Sequence, residues 1–200
     1  MEVMLKRGEE KLLASWKFAS WADVGLLQGW AEFLEAESSR NMRDASDFAR
    51  QAVIRWQSYA DKQLVVKSRE EIPQRVQTRP EDEFVVLLVL KAPWWFAPEH
   101  PLAFAYFRRT WCGGLYLEFM AGHPLAEGRI AGILRATIGC LATIAQEGGT
   151  EWIWWEATKD SFAKYESIIQ EKNAMYSTVP RIKDVFIVHT TNILRLAESR

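Results

Sequence analysis

Apolar and polar positions are most sharply patterned between residues 84 and 165. Phe84 to Leu90 is apolar at every position, which predicts a central strand covered on both faces. Ala103 to Arg109 predicts a further strand and Cys112-Gly113-Gly114 a turn. Leu115 to Ala121 then alternates large residues on both faces until Gly122-His123-Pro124 breaks it. From Ile130 the apolar positions recur at Ile133, Leu134, Thr137, Ile138, Leu141, Ile144 and Ala145, a helical period. Gly148-Gly149 stops that helix, Trp152 to Trp155 resumes an extended run, and a helix carrying Tyr165 follows. A strand-helix-strand unit of this length predicts a right-handed crossover between two parallel neighbours.

Upstream, residues 9 to 61 read as helical almost throughout. Leu12, Leu13 and Trp16, then Leu26, Leu27, Trp30, Phe33 and Leu34, fit helical spacing. A break at 38–41 leads to Asp44 as the cap of a third helix. Gln63 to Lys67 predicts a first strand, and residues 69 to 82, with Pro73 and Pro80, a short helix at most and then a loop. Three prolines make Pro93 to Pro101 irregular. Asp184 to His189 predicts a late strand and Asn192 to Glu198 a terminal helix. The expected fold class is α/β, a mixed sheet covered on both sides. Residues 1–62 form a helical N-terminal extension packed on a core of residues 63–200, the whole a single compact unit.

Composition narrows the function classes. A net charge of -1 gives no basic field for nucleic acid. The longest apolar run is far too short to span a bilayer, and no apolar signal core stands at the N-terminus. Cys112 and Cys140 cannot build a disulfide framework, so a reducing cytoplasm is expected. His100, His123 and His189 lack metal-ligand spacing, and no metal is expected. Ten tryptophans predict heavy aromatic packing, with a stacking surface for a sugar or base as the alternative.

Two segments carry chemistry. Arg129-Ile130-Ala131-Gly132-Ile133-Leu134 opens the long helix, and Thr158-Lys159-Asp160-Ser161-Phe162-Ala163-Lys164-Tyr165-Glu166 follows the next strand. In this order and spacing the chain resembles the GNAT superfamily of acyl-CoA N-acetyltransferases, whose pyrophosphate turn reads Arg/Gln-x-x-Gly-x-Gly/Ala. It departs at Leu134, where that family has glycine or alanine, and at Thr158, where it has asparagine. The resemblance implies a GNAT-like fold and acetyl-CoA as co-substrate. It places the cofactor on Phe119, Met120 and Ala121, on Arg129, Ile130, Ala131, Gly132, Ile133, Leu134 and Arg135, and on Thr158 and Ser161. It makes Tyr165 the acid that protonates the departing thiolate.

The residues themselves permit that chemistry. Amides around Ala131 to Ile133, with the helix dipole, attract a pyrophosphate, and Arg129 and Arg135 can add charge-assisted bonds. Gly132 equally suits tight helix-to-sheet packing. A phenol such as Tyr165 stays protonated at neutral pH and can act as an acid, or can simply pack. Glu118, among apolar neighbours on its strand, and Glu156, at the end of the next, are candidate bases for an ammonium substrate or ordinary paired carboxylates. The expected reaction is direct acetyl transfer to a small-molecule or peptide amine in a ternary complex, with homodimerisation possible and no nucleic-acid or membrane partner. The rivals are a catalytically silent GNAT-like scaffold acting as an interaction or regulatory protein, and a small-ligand module built on the tryptophans.

Overall fold

The computed structural model describes residues 1–35, 40–95, 100–157, 161–171, 176–178 and 185–192. Its elements are β1 (Glu2–Arg7), β2 (Glu10–Phe18), α1 (Trp21–Glu35), α2 (Arg40–Asp61), α3 (Glu71–Thr78), β3 (Phe84–Lys91), β4 (Ala103–Arg109), β5 (Leu115–Gly122), α4 (Ile133–Glu147), β6 (Trp152–Glu156), α5 (Phe162–Glu171), β7 (Tyr176–Thr178) and β8 (Val185–His189). Strands hydrogen-bond as neighbours in the order β1-β2-β3-β4-β5-β6-β8-β7. The β5–β6 pair is parallel, while β1–β2, β2–β3, β6–β8 and β7–β8 are antiparallel. The fold is therefore mixed α/β, and the crossover from β5 through α4 to β6 joins parallel strands as the pattern predicts. Among the described residues no helix is long and apolar enough to cross a membrane.

The chain's start differs from expectation. Residues 2–18 form a hairpin rather than a helix, turning at Gly8 with φ of 62°. Leu12, Ala14 and Trp16 point inward and are buried, while Leu13 is 50 % exposed. That is strand alternation. An outward-facing leucine beside an inward one mimicked helical spacing. Asp44 does not mark the start of a helix, because α2 already begins at Arg40. Gln63 to Lys67 is not a strand: Gln63 sits at φ 59°, and only Val65 bridges, in parallel, to Val85. Helix α4 begins at Ile133, three residues later than expected. Phe96 to Glu99, Asp184 and Ile193 to Glu198 lie outside the described residues.

The chain divides into two compact units. One comprises Met1–Lys67, Phe84–Tyr106 and Phe119–Ala136. Here α1 and α2 lay Val24, Leu27, Trp30, Ala49, Val53 and Trp56 against Val85, Leu87 and Val89 of β3 and Phe104 and Tyr106 of β4. Trp30 and Trp56 are fully buried, and truncating either to alanine would cost about 3–5 kcal/mol. Helix α1 starts on a capping box: the Asp23 carboxylate accepts from the Ser20 amide and hydroxyl, and the Ser20 hydroxyl accepts from the Asp23 amide.

The other unit comprises Ser68–Glu83, Phe107–Glu118 and Thr137–Arg200. Trp155 of β6 stacks on Phe186 of β8, with ring centres 5.4 Å apart, and Tyr165 and Ile169 of α5 are buried beside them. Helix α4 ends in a Schellman motif. The Thr150 amide donates to the Ala145 carbonyl and the Gly149 amide to the Gln146 carbonyl. Gly149 takes the required left-handed φ of 57°, so the expected stop at Gly148-Gly149 has a specific backbone cause.

Candidate active site

In the first unit the candidate cofactor residues lie on the end of β5 and the loop that follows it. Phe119 and Ala121 pack onto the unit's apolar core; Phe119 contacts Phe48 and Tyr106, and Arg55 lies 5.1 Å from its ring centre. Their side chains are thus engaged in packing. A ligand would meet this stretch through backbone. Past Gly122 the buried His123 accepts from the Leu125 amide through Nδ1 and starts a 3-10 turn at Pro124–Ala126. The amides of Arg129 and Ile130 donate to the Ala126 carbonyl. Ala131 and Lys6 exchange both backbone hydrogen bonds, at 2.8 and 3.1 Å.

This loop is not the open row of amides the sequence suggests. Three of its donors serve the protein. The first bond within α4 runs from the Ala136 amide to the Gly132 carbonyl, so the amides before Ala136 precede the helix's own ladder. Gly132 has φ of 96°, and a Cβ there would meet Leu5 and Met4 only at ordinary contact distance, 3.7 Å or more. Its requirement for glycine is therefore conformational, at the junction of loop and helix, and not a matter of packing space. Leu134 is half-buried within the first turn of α4. With Lys6, Arg129 and Arg135 exposed in the same unit, the residues present fit an anionic group such as a phosphate.

In the second unit, β5 and β6 carry a polar row on one face. Tyr116 and Glu118 are two apart on β5, and Tyr116 is in register with Trp154. Side chains alternate along a strand, so Tyr116, Glu118, Trp154 and Glu156 share that face while Leu115, Leu117, Ile153 and Trp155 take the other. The Tyr116 hydroxyl donates to Glu156. Burial first, then Glu156 and the charge of Glu118, push its phenol well above the ordinary range. Glu118 is no isolated carboxylate: Arg108 Nε donates to it at 2.5 Å, and Arg108 Nη1 donates to Glu83 at 3.1 Å. The parallel ladder runs from Leu115–Ile153 to Leu117–Trp155, one position short of Glu118 and Glu156. Both candidate bases thus stand where the ladder stops.

Tyr165 stands on the other face of the same strands. Its ring lies 5.7 Å from Trp155 and 5.9 Å from Phe186, and it is 7 % exposed. Burial raises its phenol to about 12, so it stays protonated at any physiological pH. Ser161 supplies the carbonyl that accepts from the amides of Lys164 and Tyr165 at the start of α5. Thr158 lies outside the described residues. Arg108 and Tyr116 carry no mark in the linear sequence. Only the two-residue spacing of Tyr116 and Glu118 hinted that they share a face.

No family model and no curated protein sequence matches the chain. Solved structures do. A GNAT-family protein from Desulfovibrio desulfuricans is 11 % identical, with a TM-score of 0.53 and coverage of 88 % of this chain and 96 % of that one. The PaiA N-acetyltransferase from Thermoplasma acidophilum, solved with coenzyme A, is 9 % identical with a TM-score of 0.53, covering 88 % and 98 %. The GNAT domain of PAT from S. lividans is 12 % identical with a TM-score of 0.51, covering 94 % of each chain. At such low identity the likeness is one of architecture, and it spans nearly the whole molecule: the chain has the fold of the GNAT acetyltransferases.

Proposed function

We propose that the chain is an acyl-CoA-dependent N-acetyltransferase that passes acetyl from acetyl-CoA to an amine by direct attack in a ternary complex. The observation that carries the reading is the stop in the β5–β6 ladder, with Glu118 and Glu156 on one face of the strands and Tyr165 on the other. The co-substrate supplies an activated thioester. The Arg129–Arg135 segment would hold its phosphates, and side chains of β6 and α5 would carry the proton chemistry. Glu156, exposed and oriented by the Tyr116 hydroxyl, takes the proton from the incoming ammonium. Glu118 shares that face but is committed to Arg108. Tyr165 gives its proton to the leaving thiolate and is reprotonated by the second proton the nitrogen sheds as the amide forms. A base on one face and an acid on the other suit a carbonyl reached between them. The carboxylates favour a cationic acceptor, and the solved relatives include a spermidine N-acetyltransferase chimera, 11 % identical with a TM-score of 0.50.

A second reading has its own support. The Ala131 amide is taken by Lys6, Glu118 is paired, and Tyr165 is buried, which together suit a GNAT-like scaffold that has lost catalysis and acts as an interaction or regulatory protein. Calorimetric titration with acetyl-CoA separates the two. Micromolar binding, lost in Gly132→Trp, is expected for the enzyme; no binding at millimolar co-substrate would sink it.

A further inference from the structure

The tip of the β1–β2 hairpin distributes its charges unevenly. Arg7 faces Glu10 across the strands, and the two are bonded at 2.7 Å. One register step inward, Lys6 faces Lys11. Directly opposed residues of an antiparallel pair project from the same face with Cβ atoms about 5 Å apart, and like charges so placed destabilise the pair. Both lysines are exposed, and neither has a carboxylate partner among the described residues. Opposite charges thus neutralise one step of the hairpin, while the next holds two unbalanced cations.

The position of that step gives it meaning. Lys6 is the residue that exchanges both backbone hydrogen bonds with Ala131, and buried Leu5 lies against Gly132. The hairpin is therefore fastened to the Arg129–Leu134 segment at the level of its unbalanced charge. Arg129 and Arg135 add exposed cations on that segment, and Glu127 is the sole acid between His123 and Gly132. Over residues 2–11 Glu2, Glu9 and Glu10 balance Lys6, Arg7 and Lys11. The unpaired positive charge is therefore confined to the Lys6–Lys11 step, beside Arg129 and Arg135, where a multiply charged anion would be favoured.

We propose that Lys6 and Lys11 are phosphate contacts of the coenzyme, contributed by the N-terminal hairpin to the binding segment. This inference rests on the acetyl-CoA reading above and adds two residues to it. The pair's mutual repulsion is relieved when the phosphates occupy the space between them. Strand β1 then serves twice: its backbone positions the loop through Ala131, and its side chains supply charge.

The test is calorimetric titration with CoA of the wild type, the Lys6→Gln/Lys11→Gln double variant, and Lys17→Gln, which alters an exposed lysine elsewhere on β2. The double variant should bind CoA about tenfold or more weakly, with a flatter dependence on salt, and Lys17→Gln should match the wild type. Without ligand, the double variant should melt at the same or a higher temperature, because a repulsive pair is gone; a merely structural role would lower it. Wild-type CoA affinity in the double variant overturns this proposal and leaves the acetyltransferase reading standing. Failure of the wild type itself to bind CoA overturns both.

Discussion

Arg108 Nε donates to Glu118 at 2.5 Å, while only 4 % of the Glu118 side chain reaches solvent. A carboxylate so enclosed is tolerated because a guanidinium stands against it. Replacing Arg108 with methionine should lower unfolding stability by about 3 kcal/mol, since a buried charge loses its partner. Glu118→Gln should cost less, because it removes the charge as well. Urea denaturation measures both, and equal, small losses would mean that the pair is energetically incidental.

Tyr165 offers a cleaner separation of stability from chemistry. Its ring packs on Trp155 and Phe186, and phenylalanine keeps that ring. Tyr165→Phe should change stability by no more than about 1 kcal/mol. Turnover should fall by about a hundredfold if the hydroxyl is the acid. Burial has raised the phenol above its unfolded value to about 12, so its contribution to stability is complete below pH 10 and disappears as pH rises through about 12. An alkaline limb below pH 10 in the rate profile therefore belongs to another group. Undiminished turnover in Tyr165→Phe would remove this residue from the mechanism.

Asp23 governs an acid-sensitive contact. Burial alone would raise its carboxyl, but the Lys91 ammonium and the Ser20 amide and hydroxyl outweigh it and hold the group below its ordinary value of 3.8. A depressed carboxyl stabilises the fold above its unfolded value and loses that contribution as pH falls through the folded one. Thermal melts of the wild type and Asp23→Asn should accordingly differ at pH 7 and draw together as pH falls through the lowered carboxyl value. Curves that stay parallel would show that Asp23 contributes no charge-dependent stability.

Gly132→Ala tests the loop junction. With φ at 96°, an alanine pays a conformational penalty of about 1–2 kcal/mol, although the surrounding space would accept its methyl group. The melting temperature should drop, and CoA binding should weaken with it as the Ala131–Lys6 bridge is disturbed. An unchanged melting temperature would mean the loop relaxes freely, with no fixed geometry to preserve.

The middle of the chain was legible because its signals are local. The unbroken apolar run of β3 and the 3.6-residue period of α4 each fix their element alone, and alternation placed Glu118 and Glu156 on known strands. The hairpin was not legible. Leu13 is apolar yet outward, and small Ala14 occupies an inward position, so strand alternation was hidden beneath apparent helical spacing. The start of α4 was misjudged for a related reason. Ile130 fits the helical period, but Ala131 is drawn into a bridge with Lys6, a partner 125 positions away that no local pattern reveals. Arg108 escaped notice likewise, because its pairing with Glu118 depends on two strands lying side by side.

The Lys6–Ala131 bridge also bears on how the protein behaves in concentrated solution. Strand β1 is outermost in the strand order, and an outer strand offers a row of backbone donors and acceptors that another molecule can extend. Lys6 spends both of its backbone groups on a loop of its own chain, two residues before the turn at Gly8. A β1 margin engaged at Lys6 by its own chain should resist edge-to-edge pairing at that point.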